Sequence, residues 1–138
     1  MMDIRQVQNN EFLQLINLNY EMYKTIDSAI NSVGATATLI HEIMSKRDFY
    51  AIGLYEDTDL VGFVTGYQEN EKVFYFSGIY VIIKNNEWTK KLIDFSFSFI
   101  KDKGYSAWQV DATNGNISSI MEKYGAIAKY TRYYKEIE

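Results

Sequence analysis

The sequence predicts an α/β fold, more narrowly α+β, in which a mixed, mostly antiparallel central sheet carries helices on both faces. Apolar residues that alternate or run continuously over short stretches predict strands, whereas apolar residues at three- and four-residue spacing predict helices. Three successive strands followed by a crossover helix require both antiparallel and parallel pairs. No repeat or linker-like stretch divides the 138 residues, so a single domain, 1–138, is expected.

The first third of the chain predicts one strand and two helices. "MDIRQV" alternates as a short strand, and the stretch after it repeats apolar residues at helical spacing. Gly34 is expected to interrupt the chain. Thr36 or Thr38 is then expected to cap a second helix through "LIHEIMSKR", because a threonine oxygen can accept a hydrogen bond from a helix-start N–H.

The middle of the chain predicts three consecutive strands. "FYAIGLYE" and "LVGFVTGYQ" are rich in β-forming residues and are separated by "DTD", which is typical of a hairpin. "NEK" then turns the chain into a third strand, Val73 to Ile83. Gly78 within this strand indicates a β-bulge or a close approach of another part of the chain.

The last third predicts a helix, a strand, a short helix and a final strand. "KKLIDFSFSFIKDKGY" alternates like a strand but also fits helical rows; its length, its flanking lysines and Gly104 at the position of a C-terminal cap favour a helix. "SAWQVDA" follows as a strand and "GNISSIMEKYG" as a short helix that Gly125 ends. "AIAKYTRYYKEI" is predicted as one closing strand.

Composition and charge exclude several functional classes. The chain has 14 basic and 18 acidic residues and no cysteine, so neither sequence-independent nucleic-acid binding nor a disulfide framework is expected. No stretch is apolar and long enough for a signal peptide or a membrane span, and a cytoplasmic protein is expected. His41 is the only histidine and has no metal-ligand spacing around it, so no metal site is expected.

Two stretches of the second half resemble the GNAT superfamily of N-acetyltransferases. "FIKDKGYSAWQVDATN" is similar to the family's pattern of a lysine-rich helix end, Gly-Tyr, a strand and Asn. "N…MEKYGA" is similar to the family's "N…YEKLGF", with Asn114, Glu122, Lys123 and Gly125 at matching spacing. The resemblance runs from Gly78 to Ala126, and the predicted order of elements fits the same family.

The resemblance implies a V-shaped opening between the strand that ends near Val81 and the strand around Val110. Acetyl-CoA would lie there as a co-substrate, with its pantetheine arm paired to the first strand as an added strand would be. Its diphosphate would lie on the helix start at 84–89. The implied cofactor-binding residues are Tyr80, Val81, Ile82, Asn85, Asn86, Lys90, Lys91 and Asn114, of which Asn114 has the alternative role of a turn residue or helix cap.

The diphosphate turn "KNNEWTKK" departs from the family, because it lacks the family's arginine and glycines. Asn85 and Asn86 tolerate left-handed backbone angles and can make a tight turn without glycine. A helix start also offers its N–H groups whatever the side chains are. The local charge is favourable, since three lysines face only Glu87. Trp88, however, is bulky enough to fill the space that a diphosphate needs.

The last predicted helix departs from the family at its proton donor. Counting seven residues from Asn114 reaches Met121, where many family members have a tyrosine that protonates the departing thiolate. A thioether cannot donate a proton. Tyr124, about one turn further along, or a water molecule is left as the candidate donor.

The base that takes the amine proton is expected to be a carboxylate. The strand Val73–Ile83 has no acid, which leaves Glu42, Glu69, Glu71 and Asp111. Each also fits a solvated surface or turn position. Asp111, at the C-terminal end of a strand, is the preferred candidate.

The sequence thus leaves functions of different classes. The first is a GNAT-type N-acyltransferase that acts on a primary amine of a small molecule or a protein. The alternative is a catalytically degraded GNAT-fold module that binds or regulates a protein partner. A third option is a binder of CoA or another nucleotide that does no chemistry. A homodimer through the C-terminal strand fits either of the first two functions.

Overall fold

The computed structural model describes residues 1–25, 32–111, 123–124, 127–129 and 132–137 of the chain. The strands are β1 (Met2–Gln6), β2 (Tyr50–Glu56), β3 (Asp59–Gln68), β4 (Val73–Val81), β5 (Ala107–Asp111), β6 (Ile127–Lys129) and β7 (Arg132–Glu136). The helices are α1 (Phe12–Thr25), which a 3-10 turn at Asn9–Glu11 precedes, α2 (Val33–Met44) and α3 (Asn86–Asp102).

The seven strands form one sheet in the order β1-β2-β3-β4-β5-β7-β6. Only β4 and β5 run parallel, and every other neighbouring pair is antiparallel. The predicted mixed, mostly antiparallel sheet is therefore confirmed. The parallel pair is possible because α3 provides the crossover between its two strands.

Helices cover both faces of the sheet, as predicted. Neighbouring residues of β2 show this, since side chains alternate between the faces of a strand. Ala51 and Tyr55 pack in one buried cluster with Leu15 of α1. Ile52 packs in the other with Leu92 of α3. Helix α2 contacts α1.

Helix α3 confirms the helical interpretation of the "FSFSF" segment. Its buried positions are Leu92, Ile93, Ser96 and Ile100, which follow helical spacing. Phe97 stacks on Trp108 of β5, with ring centroids 4.6 Å apart. The helix ends where predicted, because Gly104 has φ +99, a left-handed conformation that suits glycine.

The start of α2 differs from the prediction. Ser32, and neither Thr36 nor Thr38, is the N-cap: its Oγ accepts from Ala35 N at 3.0 Å. Gly34 lies inside the first turn instead of interrupting the chain. Both threonines lie inside the helix and donate to carbonyls four residues earlier.

The end of the chain also differs from the prediction. "AIAKYTRYYKEI" is not one strand but two antiparallel strands, β6 and β7, with Ala128 opposite Tyr133. The predicted helix "GNISSIMEKYG" lies outside the described residues except for Lys123 and Tyr124. No helix of the described ranges is long and apolar enough to span a membrane.

Candidate active site

Strand β4 extends beyond the end of its parallel partner β5, and this leaves an opening in the sheet. It pairs with β5 only from Val73 to Phe76, where Phe76 lies opposite Val110. It then continues to Val81 with β3 on one side. On its other side no described strand pairs with it. This opening lies where the V-shaped opening was expected.

A bulge determines which residues of β4 direct their backbone groups to this opening. The register between β3 and β4 shifts opposite Thr65 and Gly66, so that Ser77 is an extra residue in β4. The bulge and the close approach expected at Gly78 are both present, because a Cβ on Gly78 would lie 3.0 Å from the Phe63 ring. A side chain at this position would therefore disturb the packing of α1 on the sheet.

The hydrogen bonds of β4 to β3 after the bulge show which backbone groups face the opening. Ile82 N donates to Val61 O of β3 at 2.9 Å. Because successive residues of a strand direct their N–H groups to opposite sides, Tyr80 also faces β3, whereas Ile79 and Val81 face the opening. Of the three predicted backbone contacts, Val81 is thus the one positioned to pair with an added chain. Ile79 was not predicted, because Gly78 indicated a bulge but not the residue at which the register shifts.

The start of α3 offers two N–H groups to a ligand. Asn85 is the N-cap, and its Oδ1 accepts from Trp88 N at 3.1 Å. Asn85 has an extended φ of −135, and Asn86 has no positive φ, so the turn does not use the left-handed backbone angles that both asparagines tolerate. The N–H groups of Asn86 and Glu87 have no acceptor among the described residues. Such groups, at the positive end of a helix dipole, attract anions.

A cleft of about 580 Å³ lies between α3 and the pair Lys123 and Tyr124. Its lining residues are Asn86, Thr89, Lys90, Ile93, Lys123 and Tyr124. The described lining side chains include two lysines and no carboxylate, and this positive charge favours an anionic ligand.

Trp88 and Lys91 do not line this cleft. Trp88 packs against the core cluster beneath α3, and Lys91 Nζ lies 4.3 Å from its ring centroid. Lys91 also pairs with Glu87 at 3.1 Å. Trp88 therefore does not fill the cleft, and the obstacle raised by the sequence is absent there.

Asp94 joins two of the lining side chains. Its Oδ1 accepts from the Tyr124 hydroxyl at 2.7 Å, and its Oδ2 accepts from Lys90 Nζ at 2.7 Å. Burial raises the pKa of Asp94, but these two hydrogen bonds outweigh it and hold the pKa below its usual range. Burial and the Asp94 carboxylate both raise the pKa of Tyr124. Asp94 was missed by the sequence interpretation, which counted only Glu87 against the lysines.

Solved acetyltransferase structures resemble this architecture. The chain superposes over 100% of its length on 89% of a GNAT family acetyltransferase from Brucella melitensis in complex with acetyl-CoA, with a TM-score of 0.77 and 11% identity. For the PaiA N-acetyltransferase from Thermoplasma acidophilum in complex with coenzyme A, the coverage is 99% of both chains, the TM-score 0.73 and the identity 18%. An N-acetyltransferase from Staphylococcus aureus Mu50 superposes on 100% of this chain over 99% of its own length, with a TM-score of 0.74 and 12% identity.

The chain has the GNAT fold. Because the sequence identities are low, these superpositions show the fold alone. No protein-family model matches the sequence, and no curated protein matches it either.

Within this GNAT fold, Asp111 lies on the face of the sheet away from α3. Val110 packs in the α3 cluster, so the next side chain points to the opposite face. The Tyr75 hydroxyl donates to Asp111 Oδ2 at 2.8 Å. The two predicted catalytic residues, Asp111 and Tyr124, thus lie on opposite sides of the sheet.

The remaining predicted residues are more dispersed. Glu42, Glu69 and Glu71 are exposed, as is His41 on α2. Among the described residues, no group of three or more acidic, histidine or cysteine side chains is placed to hold a metal ion. Asn114 and Met121 lie outside the described residues. The structure brings together Asn86, Lys90 and Tyr124, and it separates them from Asp111 and Lys91.

Proposed function

We propose that the chain is an acyl-CoA-dependent N-acyltransferase, which transfers an acetyl or acyl group from acyl-CoA to a primary amine of a small molecule or a protein. The observation that carries the proposal is the open edge of β4 beside a cationic cleft at the start of α3. The Brucella and Thermoplasma structures, solved with acetyl-CoA and coenzyme A, support the same ligand here.

The residues present fit acetyl-CoA as a co-substrate. Val81, and with it Ile79, offers backbone donors and acceptors to the pantetheine arm. The N–H groups of Asn86 and Glu87 and the ammonium of Lys90 suit the diphosphate. Glycine is not required for this, because Asn85 caps the helix in extended conformation and leaves those N–H groups available.

The proposed chemistry is direct transfer. The amine nitrogen attacks the thioester carbonyl carbon; the C–N bond forms, the C–S bond breaks, and the amine loses one proton while the thiolate gains one. The Val81 N–H, which faces the opening, would stabilise negative charge on the carbonyl oxygen. The chain contributes chiefly by holding the two reactants in line.

Asp111 and Tyr124 suit the two proton transfers of such a reaction, one from the amine and one to the thiolate. Asp111, on the face away from α3, would accept the amine proton directly or through water. The thiolate would leave on the α3 side, where Tyr124 or a water molecule supplies its proton. Tyr124 donates its hydrogen to Asp94, so it must turn that hydrogen toward the cleft before it can serve as the acid.

The other expectations stay predictions. These are the identity of the amine, the homodimer, the cytoplasmic location, the single-domain organisation and the contact of Asn114 with the cofactor. Within the described residues, no feature favours the alternative of a degraded module that acts through a protein partner.

Titration with acetyl-CoA by calorimetry tests the proposal. We expect micromolar binding, and a ligand at a hundred times its dissociation constant stabilises the native state by about 2.7 kcal/mol. That stabilisation raises the melting temperature by several degrees in a domain of this size. Release of free CoA thiol in a screen of amines then measures turnover. The absence of binding at millimolar acetyl-CoA would refute the proposal.

Two neighbouring lysines provide a matched pair of variants. Lys90→Met removes a charge that lines the cleft and should weaken acetyl-CoA binding by about tenfold. Lys91→Met removes a charge that faces Trp88 and Glu87 instead, so its effect should stay below about twofold. Equal effects would mean that the diphosphate is not bound in this cleft.

A further inference from the structure

Asp94 is a carboxylate that the proposed reaction does not use. It lies one helical turn after Lys90 and is not among the described residues that line the cleft. We propose that Asp94 is a positioning residue, which holds Tyr124 and Lys90 in one hydrogen-bonded chain and so sets where the phenol hydrogen points and how strongly Lys90 binds an anion. The inference rests on the proposed function for the identity of that anion.

The geometry gives each oxygen of Asp94 one partner. Oδ1 accepts from the Tyr124 hydroxyl and Oδ2 from Lys90 Nζ, both at 2.7 Å. The Lys90 distance is shorter than that of a typical neutral N–H···O bond, as expected for an ion pair. Tyr124 and Lys90 line the cleft, whereas Asp94 is not among its lining residues. Asp94 therefore acts on a ligand through its two partners.

The effect on Lys90 has a defined sign. Lys90 precedes Asp94 by four residues, the weaker order for an ion pair on a helix. Its side chain is 70% exposed, so the ammonium can turn to a ligand with little loss. A negative charge at Asp94 nevertheless competes with the ligand for Lys90 and repels a phosphate. Removal of that charge should strengthen anion binding, whereas loss of a merely structural contact would weaken it or leave it unchanged.

The effect on Tyr124 concerns its proton. With its hydrogen donated to Asp94, the phenol presents lone pairs to the cleft. Among the described residues, the charged groups near Tyr124 are Lys90 and Asp94 of α3 and the adjacent Lys123. The Phe97 ring packs edge-on against the Tyr124 ring, with centroids 4.9 Å apart. Burial and Asp94 together raise the pKa of the phenol. It therefore stays protonated in alkaline solution, where an alkylamine becomes an uncharged nucleophile.

The variant Asp94→Asn separates positioning from structure. Asparagine keeps an oxygen that accepts from Tyr124 but carries no charge. Asp102→Asn, the same change at the exposed C-terminal end of α3, is the matched control. Circular dichroism establishes that both variants are folded.

Two measurements decide the proposal. With tyrosines labelled at 13Cζ, the signal missing from Tyr124→Phe identifies Tyr124. Its titration midpoint should fall by at least about one pH unit in Asp94→Asn and stay in place in the control. Calorimetry with acetyl-CoA, and with inorganic pyrophosphate as a simpler anion, should show binding tightened roughly two- to fivefold in Asp94→Asn alone.

Either an unmoved Tyr124 midpoint or unchanged or weaker anion binding in folded Asp94→Asn would overturn the proposal. A wild-type protein that binds neither acetyl-CoA nor pyrophosphate would refute the proposed function instead. The titration of Tyr124 would then still decide whether Asp94 controls its proton.

Discussion

Two clusters in this molecule combine the same three chemical groups, a cation, a carboxylate and a phenol. We refer to them as the edge triad and the cleft triad. The edge triad is Arg5, Glu11 and Tyr55, and the cleft triad is Lys90, Asp94 and Tyr124.

The edge triad is tightly bound and mostly buried at its centre. The Glu11 carboxylate accepts four hydrogen bonds, from two nitrogens of Arg5, from the Gln8 N–H and from the Tyr55 hydroxyl. The Glu11 side chain is 13% exposed. Arg5 also lies 3.7 Å from the Tyr55 ring centroid. The cluster thereby joins β1, the turn before α1, and β2.

The cleft triad is looser at each of these points. Asp94 accepts two hydrogen bonds, and its side chain is 43% exposed. Lys90 makes a single contact with it instead of the paired contacts of a guanidinium. The two triads contain the same chemical groups, so these groups do not decide their roles. Burial and the number of hydrogen bonds distinguish a structural cluster from one whose members can turn to a ligand.

The largest expected difference between the two triads is in the loss of stability when their carboxylates are neutralised. Glu11→Gln leaves the guanidinium and the buried phenol with a weaker partner and should lower the free energy of unfolding by about 2 kcal/mol. Asp94→Asn should change it by less than about 0.5 kcal/mol, because exposed ion pairs contribute little. Urea denaturation at pH 7 measures both. Equal losses would abolish the distinction between the two triads.

The acid range gives a second, smaller difference. The hydrogen bonds from Arg5 outweigh burial and lower the pKa of Glu11 from 4.5 to about 2. Because the pKa is lower in the folded state, the stabilisation is fully present above pH 4.5 and is lost as the pH falls toward 2. Wild type should lose roughly 1–2 kcal/mol more than Glu11→Gln between pH 5 and pH 2.5. Parallel curves of stability against pH would show that Glu11 is not the group responsible.

The sequence predicted the elements better than the contacts between them. Helix α3 follows from signals within its own segment, namely the spacing of its apolar residues and Gly104 after its end. The order of β1 to β5 along the chain follows from turn residues and alternation. Such signals act over a few residues, so they can be interpreted from the chain alone.

The parts of the site that the sequence missed depend on tertiary structure. Asp94 and Tyr124 are 30 residues apart, and they meet only because the chain returns to α3 after β5. Whether Val81 or Ile82 faces the opening depends on the bulge at Ser77, which shifts every later residue of β4. Glu11 likewise meets Tyr55 across 44 residues. No local pattern specifies these pairings.

The smallest expected effect tests the looseness of the cleft triad directly. Lys90→Met should lower the free energy of unfolding by about 0.3 kcal/mol or less, because the Lys90–Asp94 pair is exposed and in the weaker order for a helix. Arg5→Met, the same kind of replacement in the edge triad, should cost several times more, since Glu11 would lose two of its four hydrogen bonds. Urea denaturation in low and high salt compares them, and salt should reduce only the small effect at Lys90. A loss at Lys90→Met as large as that at Arg5→Met would mean that Lys90 is fixed in the structure. A fixed Lys90 could not exchange Asp94 for a ligand, and the cleft would then have to bind its anion through Lys123 and the N–H groups at the start of α3.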